Sequence, residues 1–119
     1  MEYRQRKGYA GQRLAVEFLT LRGFEVVHQN LRLMLEGTSE LGEIDIVARV
    51  RDSKRDRIQW WLIEVKTHAS SFLRWSPAQK RRLRRSARAF SALALGRGPV
   101  AIALVWVGEG GRIEFLENP

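Results

Sequence analysis

The pattern of apolar and polar positions predicts two helices. Apolar residues recur at spacings of three and four from about residue 7 to Leu21, which indicates an amphipathic helix that ends before Gly23. A second helix is predicted to start at Ser76 and Pro77, because Ser is a favoured N-cap and Pro a favoured first helical residue. This second helix is expected to continue to about Leu95, where a glycine follows.

Segments rich in β-forming residues predict four or five strands around these helices. A loop over residues 34–42 separates the first two strands, and a charged linker over residues 51–57 separates the second from the third. The second and third strands are expected to form a hairpin with a long turn, because Asn-Gly or Asp-Gly turn chemistry is absent. The predicted strands are Phe24–Leu33, Glu43–Val50, Ile58–Thr67, Pro99–Val107 and, as a short edge strand, Arg112–Leu116.

The order of these elements, α-β-β-β-α-β(-β), predicts an α/β fold with a mixed central β-sheet flanked by helices. The second helix is expected to cross over between the third and fourth strands. With 119 residues, 45% of them hydrophobic, the chain is expected to form a single domain over residues 1–119.

The charge balance favours a polyanionic partner. Lys and Arg number 21 against 13 Asp and Glu, which gives a formal net charge of +8. Nucleic acid is the first candidate, whereas no lipidation signal or polybasic tail beside an apolar anchor points to a membrane. The first residues lack the apolar core of a signal peptide, and the longest apolar run, Val100–Val107, is too short to cross a bilayer. We therefore expect a cytoplasmic protein.

Charged residues interrupt two otherwise apolar strands: Glu43 and Asp45 in one, Glu64 and Lys66 in the other. Burying a charge costs several kcal/mol unless an opposite charge lies beside it, so this grouping suggests a bound cation. Since the chain has no cysteine and two histidines, that cation must rest on oxygen ligands, which suits Mg²⁺ or Mn²⁺. The set is suited to metal-assisted phosphodiester hydrolysis. The alternative is a solvated strand face with Asp45 and Arg49 paired locally.

The expected hairpin gives these acids a register. If Asp45 lies opposite Glu64, then Val50 lies opposite Gln59 and residues 51–58 remain for the turn, in agreement with the charged linker. Alternation of side chains along the first strand of the hairpin predicts one face made of Glu43, Asp45, Val47 and Arg49, and another made of Ile44, Ile46 and Ala48.

The second predicted helix carries a dense basic face. No acidic residue occurs from Ser76 to Pro99, whereas ordinary solvated helix faces mix acids with bases. Arg81, Arg85 and Arg88 lie about one turn apart and would form a ridge that can follow a phosphate backbone. A solvated helix face without a ligand is the alternative. The predicted nucleic-acid contacts are Lys80, Arg81, Arg84, Arg85 and Arg88.

Aromatic and histidine residues add little to this interpretation. All four tryptophans, Trp60, Trp61, Trp75 and Trp106, are expected to pack in the core or cover the sheet rather than stack on bases, and Trp75 is the one exception worth testing. His28 and His68 are interpreted as structural or surface residues, with His68 a weaker candidate for substrate contact.

The charged residues of the two strands resemble a known signature. Asp45 followed by Glu64-x-Lys66 on the adjacent strand is similar to the PD-(D/E)xK signature of nucleases with the restriction-endonuclease-like fold. Gly42-Glu43-Ile44-Asp45 together with Glu64-Val65-Lys66 resembles, more specifically, the YraN-like family, which is similar to archaeal Holliday-junction resolvases. The resemblance spans about residues 8–107 and includes Gly11-x-x-x-Ala15, Gly23-Phe24, Asn30-x-Arg32, and Lys80 with Ala87.

The resemblance implies roles for the residues of the site. Asp45 and Glu64 would bind Mg²⁺ or Mn²⁺ together with the backbone carbonyl of Val65. Lys66 would orient the attacking water or stabilise the pentavalent phosphorus, and Glu43 would be a supporting acid. The implied activity is that of a DNA endonuclease, with branched DNA among the candidate substrates.

Two positions depart from the family pattern. Gln12 stands where the family usually has a glutamate and where resolvases use an acid as an additional metal contact, so Gln12 would be a weak ligand. His68 stands where the family tends to have arginine. The second hypothesis is therefore a nucleic-acid-binding module that keeps the nuclease fold but has lost efficient catalysis. A protein-interaction adaptor ranks third. Because related resolvases act as dimers, a homodimer is a further expectation.

Overall fold

Five strands and two α-helices make up the region of the chain that the structure, a computed structural model, describes: residues 2–34, 41–67, 76–92 and 100–117. Their order confirms the predicted α/β fold and its sequence of elements. The elements are α1 (Glu2–Leu21), β1 (Glu25–Met34), β2 (Leu41–Asp52), β3 (Arg57–Thr67), α2 (Pro77–Ala92), β4 (Val100–Val107), a short 3-10 turn (Glu109–Gly111) and β5 (Ile113–Glu117).

The strands form one mixed sheet with the spatial order β1-β2-β3-β4-β5. Neighbouring strands are antiparallel except for β3 and β4, which run parallel. A parallel pair cannot be joined by a tight turn, and α2 provides the crossover between these two strands, as predicted. Neither helix is long and apolar enough to cross a membrane within the described residues.

The hairpin between β2 and β3 is longer than predicted. Ladder pairing continues to Asp52 and Arg57, so the turn is confined to residues 53–56 and the prediction of a turn over residues 51–58 is wrong. The reason is that the charges of the linker pair with one another. Arg51 forms an ion pair with Asp56, and the Asp52 carboxylate accepts hydrogen bonds from two main-chain N–H groups of the turn.

The N-terminus of α2 is capped as the sequence predicts. The Ser76 hydroxyl accepts a hydrogen bond from the Gln79 N–H at 3.1 Å, and the Gln79 side-chain carbonyl accepts one from the Ser76 N–H at 3.1 Å. This reciprocal capping box satisfies two N–H groups that a helix start otherwise leaves unpaired. The end of the helix predicted at Leu95 lies outside the described residues.

Both faces of the sheet are buried, each beneath one helix. On the α2 face, Leu62 and Leu104 pack with Leu83 and Phe90 of the helix. On the α1 face, the core cluster consists of Ala15, Leu19, Ile46, Ala48, Trp61, Ile63, Ala103, Val105 and Val107. Burial on both faces explains the nearly continuous apolar sequence of β4.

Gly11 brings α1 close to the end of β3. A Cβ atom built on Gly11 would lie 2.1 Å from Thr67 Oγ1 and 2.6 Å from Thr67 Cγ2, which no real contact tolerates. Glycine is therefore required sterically, and it sets the distance between α1 and the portion of β3 that carries Glu64 and Lys66.

We expect the Gly11→Ala variant to lose about 1–3 kcal/mol of unfolding free energy, because Thr67 is β-branched and half-buried in β3 and can give way little. Urea denaturation measures this loss, with Arg13→Ala, an exposed neighbour on α1, as a control expected within about 0.5 kcal/mol of wild type. Replacing Thr67 by glycine should restore some of the loss. A fully stable Gly11→Ala protein would contradict the close approach of α1 to β3.

Candidate active site

The sheet opens between β2 and β3 at the predicted site. The predicted register of the hairpin is confirmed, with Val50 opposite Gln59, but the described ladder ends at the pair Ile46 and Ile63. Beyond that pair β2 continues along β1, and β3 continues along β4 as far as Thr67. The two strands therefore separate just before Asp45 and Glu64 would pair, which leaves space for their side chains.

Asp45 is held at this opening by hydrogen bonds that replace ladder pairing. Its Oδ2 accepts a hydrogen bond from the Val65 N–H at 2.8 Å, and its main-chain carbonyl accepts one from Gln12 Nε2 at 3.3 Å. Gln12 Nε2 also donates to Gln29 Oε1 at 3.1 Å. Asp45 is thus connected to β3 through its carboxylate and to α1 through its carbonyl.

The pairing of β1 with β2 shifts register between Val26 and His28, and farther along it lacks the pair of Asn30 with Asp45. On either side of Asp45, Gln29 pairs with Ile46 and Leu31 pairs with Ile44. Asn30, which lies between Gln29 and Leu31, has a left-handed backbone with φ of 53°. Asparagine adopts this conformation more readily than most residues with a side chain.

The faces of β2 change at this irregularity, which corrects a prediction. Ile44 packs in the α2-side cluster with Val47, whereas Ile46 and Ala48 pack in the α1-side cluster. The prediction that Ile44, Ile46 and Ala48 share a face is therefore wrong. Strict alternation requires regular pairing, and Asn30 interrupts it opposite Asp45.

Burial makes ionisation of both carboxyl groups unfavourable. For Glu64, burial and then the neighbouring charge of Asp45 raise the pKa from 4.5 to about 7, while Lys66 acts in the opposite direction. Burial also raises the pKa of Asp45, and the hydrogen bond from the Val65 N–H offsets some of that rise. Two half-buried acids that disfavour each other's charge are an arrangement that a cation would stabilise.

The chemistry of these donors fits a divalent cation. Asp45 and Glu64 supply carboxylate oxygens, the ligands that Mg²⁺ and Mn²⁺ prefer. In the described ranges, no group of three His, Asp or Glu side chains is arranged to hold a metal ion. Glu43 is exposed, although its charge raises the pKa of both acids. Remaining ligands would then be main-chain carbonyls, water or substrate, as is usual for Mg²⁺.

The other predicted site residues occupy different positions around the acids. Lys66 is half-buried two residues after Glu64, and its charge acts on both carboxyl groups. Val65 packs in the α1-side core, with its N–H bonded to Asp45. Gln12 lies next to the main chain of Asp45.

The basic residues of α2 lie on several sides of the helix. Leu83, Ala87 and Phe90 face the sheet, while the exposed Arg81, Arg85 and Arg88 lie roughly 140–200° around the axis from Leu83. That ridge therefore points away from the sheet. Lys80 is half-buried and Arg84 is exposed.

Arg82 is a residue that the sequence did not single out. Its positive charge lowers the pKa of Glu64, so among the residues of α2 Arg82 is the one whose charge acts on an acid of the site. It lies about 100° around the helix from Leu83, a position that helical spacing could have revealed. Because six basic residues lie close together in this helix, the sequence alone did not distinguish Arg82 from its neighbours.

Aromatic residues and histidines follow the predictions where they are described. Trp61 is buried in the α1-side core, and Trp60 packs with Phe90 on the α2 side at a ring distance of 5.5 Å. His28 is exposed on β1. The predictions for His68 and Trp75 fall outside the described residues.

Comparison with known proteins identifies relatives of the chain. Residues 11–112 match the model of a family described as uncharacterised protein family UPF0102. A UPF0102 protein of Shewanella woodyi is 36% identical over 85 residues, which cover 67% of this chain and 62% of that protein. The chain thus matches slightly less than two thirds of the length of this relative. The family match includes α1 from Gly11 onward and all the acids described above.

The raised pKa of Glu64 predicts that stability falls as pH rises. Between pH 4.5 and about 7, folded Glu64 keeps a proton that the unfolded chain has lost, so unfolding free energy decreases over this window and levels off above it. We expect a decrease of about 1–3 kcal/mol. Urea denaturation in EDTA, compared between wild type and Glu64→Gln, measures the share that belongs to Glu64.

The matched control for this pH dependence is Glu17→Gln, an exposed glutamate of α1. It should keep the wild-type profile, whereas Glu64→Gln should flatten it. Equal slopes for wild type and Glu64→Gln would contradict the desolvated environment of Glu64.

Proposed function

Since the chain belongs to the UPF0102 or YraN family, a PD-(D/E)xK-like nuclease family, we propose that it is a metal-dependent endonuclease that hydrolyses DNA phosphodiester bonds. The observation that carries this proposal is the pair of half-buried carboxyl groups, Asp45 and Glu64, at the opening between β2 and β3. A pair that destabilises its own ionised form has a physical reason to bind a cation.

The residues of the site divide the work of hydrolysis. Asp45 and Glu64 would hold Mg²⁺ or Mn²⁺ with the carbonyl of Val65, and Gln12 would be a weak additional ligand. When bound, the ion would lower the pKa of a water ligand and stabilise the charge that develops on phosphorus. Lys66 would donate hydrogen bonds to the attacking water or to a phosphate oxygen. Glu43 would act as a supporting acid.

The hydrogen bond from Val65 to Asp45 gives the site a fixed geometry. It orients one carboxylate oxygen along the main chain of β3, so the other oxygen remains for a ligand. Rigid placement of charged groups before substrate arrives is what makes electrostatic catalysis effective.

Positive charge supports DNA as the substrate. The chain carries a formal net charge of +8, and α2 contributes six basic residues without an acid. We propose that Arg82 acts on a phosphate near the acids, whereas Lys80, Arg81, Arg84, Arg85 and Arg88 attract and retain the polyanion at larger distance. Such contacts release counterions, so binding should weaken with salt. A homodimer would be consistent with cutting two strands and stays a prediction.

A nucleic-acid-binding module with weak or no catalysis is the second candidate. Gln12 favours it, because this neutral amide stands where the family usually has an acid. Its Nε2 donates to Asp45 and Gln29, an arrangement that stabilises the site without a metal.

Cleavage assays separate the two candidates. We expect wild-type protein to cut labelled flap, four-way-junction or linear DNA in Mn²⁺, and Asp45→Asn and Lys66→Met to lower the rate at least about 100-fold. Asp45→Asn keeps an oxygen that can accept the Val65 N–H, so the fold should persist. The measurement is single-turnover cleavage resolved on denaturing gels.

The matched controls for cleavage are Asp52→Asn and Lys54→Met at the far end of the hairpin, which should cut like wild type. DNA binding without any cutting would support the binding module instead. Absence of DNA binding even at low salt would overturn both candidates.

Restoring an acid at position 12 should strengthen cation binding. We expect Gln12→Glu to bind Mn²⁺ roughly 10-fold more tightly, because it adds a carboxylate beside Asp45. Without metal the variant should melt at a lower temperature, since its new carboxylate faces the acceptor oxygens of Asp45 and Gln29. Calorimetric titration with Mn²⁺ and thermal melts with and without Mn²⁺ measure the two effects.

Thr20→Glu is the control for this gain, because it adds the same charge at an exposed position on α1. It should leave Mn²⁺ affinity unchanged. Equal affinities of Gln12→Glu and wild type would show that position 12 does not reach the ion.

A further inference from the structure

The pairs of the β1–β2 ladder on the two sides of Asp45 belong to different faces of the sheet. Gln29 pairs with Ile46 on the α1 side, where Ile46 packs in the core cluster and Gln29 accepts a hydrogen bond from Gln12 of α1. Leu31 pairs with Ile44, and both pack on the α2 side. Residues two apart in a regular strand share a face, so both strands break their alternation between these two pairs.

The break coincides with an unusual backbone conformation in β1. Asn30 lies between the two pairs with a φ of 53°, and the ladder lacks the pair that it would form with Asp45. Among the described residues, Asn30 and Asp56 are the residues other than glycine with a positive φ. The positive φ at this position therefore belongs to β1 and not to Asp45 itself.

The change of face determines where the Asp45 side chain points. Alternation counted from Ile46 would place this side chain on the α2 side, and alternation counted from Ile44 would place it on the α1 side. Neither occurs, because Oδ2 of Asp45 accepts a hydrogen bond from the Val65 N–H at 2.8 Å. The carboxylate thus extends along the sheet toward β3. A side chain that stood perpendicular to the sheet, as in a regular strand, would point away from that N–H.

The main chain of Asp45 is turned in the same way. In a regular ladder a main-chain carbonyl faces a neighbouring strand, whereas the Asp45 carbonyl accepts a hydrogen bond from Gln12 Nε2 of α1 at 3.3 Å. The carbonyl is therefore directed toward the helix that covers the sheet while the carboxylate lies toward β3. Both contacts of Asp45 require the turn in the ladder opposite Asn30.

We propose that Asn30 is the positioning residue of Asp45: its left-handed backbone turns the β1–β2 ladder and thereby directs the Asp45 carboxylate toward β3 and the cation. The purpose of this placement rests on the proposed function, whereas the placement itself is a property of the protein chain. Asn30 acts through Asp45 and touches neither the cation nor the substrate. Sparsely populated backbone conformations persist where the surrounding structure requires them, and they cluster at functional sites.

The residue type at position 30 suits this role. Asparagine and glycine adopt the left-handed conformation readily, whereas a β-branched residue with positive φ is a genuine outlier. Asn30 is exposed, so replacing its side chain leaves the two core clusters intact. The role thus belongs to the main-chain conformation, and a variant that keeps this conformation should keep the site.

Amide hydrogen exchange of Val65 in EDTA tests the placement directly. We expect Asn30→Val to speed exchange of the Val65 N–H about 5- to 30-fold relative to the amides of β4, a factor that corresponds to the usual cost of a left-handed residue. Calorimetric titration should show Mn²⁺ affinity weakened by a similar factor. Asn30→Gly should match wild type in both measurements. Asn30→Ala, with a smaller side chain, serves if Asn30→Val does not fold.

Asp56→Val is the matched control, because Asp56 has a similar φ of 49° but lies in the turn at the far end of the hairpin. Thermal melts should show a loss of stability for Asp56→Val as for Asn30→Val. Exchange of the Val65 N–H and Mn²⁺ affinity should nevertheless stay at their wild-type values in Asp56→Val, since this strain lies away from the acids.

The outcomes separate this inference from the proposed function. Unchanged Val65 exchange in Asn30→Val, or equal acceleration in Asn30→Gly or in Asp56→Val, would overturn the positioning role and leave the proposed function standing. Faster Val65 exchange in Asn30→Val with wild-type Mn²⁺ affinity would also overturn it, because the placement would not serve the cation. Failure of wild-type protein to bind Mn²⁺ would instead overturn the proposed function, while the exchange rates would still decide whether Asn30 places Asp45.

Discussion

The hydrogen bond from the Val65 N–H to the Asp45 carboxylate is the contact on which the site depends. Where β2 leaves β3, a main-chain N–H loses its partner on the other strand, and an unpaired buried N–H costs about 1–3 kcal/mol. The Asp45 side chain replaces that partner. A single carboxylate thus allows the strands to separate and is itself fixed at the opening. The same opening admits Glu64, so the interruption of the sheet and the acidic pair have one structural cause.

In this arrangement, ionising the two half-buried carboxyl groups costs electrostatic free energy. Burial disfavours the charge on both acids, and the charge of Asp45 further raises the pKa of Glu64. Lys66 and Arg82 oppose that cost for Glu64 but do not cancel it, since the pKa of Glu64 remains at about 7. The sheet can carry the cost because it is covered by a helix on both faces and β4 is almost wholly apolar. A cation would convert the repulsion into binding energy, which connects fold stability to the proposed chemistry.

What could be predicted from the sequence was local or periodic. The capping box at Ser76 and Gln79 involves neighbouring residues, and the register of the hairpin follows from alternation and the charged linker, so both were predictable. The face of Ile44 was not, because it depends on the left-handed backbone of Asn30 in another strand. The contact of Gln12 with the Asp45 carbonyl joins residues 33 positions apart, and no pattern in either segment predicts this contact. For Asp45, Glu64 and Lys66 the sequence indicated the pair of strands, while the opening between them appears only in three dimensions.

The charges of α2 also show how little composition alone predicts about a site. Composition counts the arginines of α2 equally, but the stripe of Leu83, Ala87 and Phe90 fixes which way each one points. The ridge of Arg81, Arg85 and Arg88 lies on the outer side, a helix diameter of about 10–12 Å from the sheet side. Charges at that distance are screened by salt over about 8–10 Å, so they act on a phosphate at the acids mainly as a weak field. Arg82, whose charge lowers the pKa of Glu64, is the α2 residue that we propose to act on a phosphate near the acids. In the proposed function, attraction of the polyanion and its placement would therefore belong to different sides of one helix.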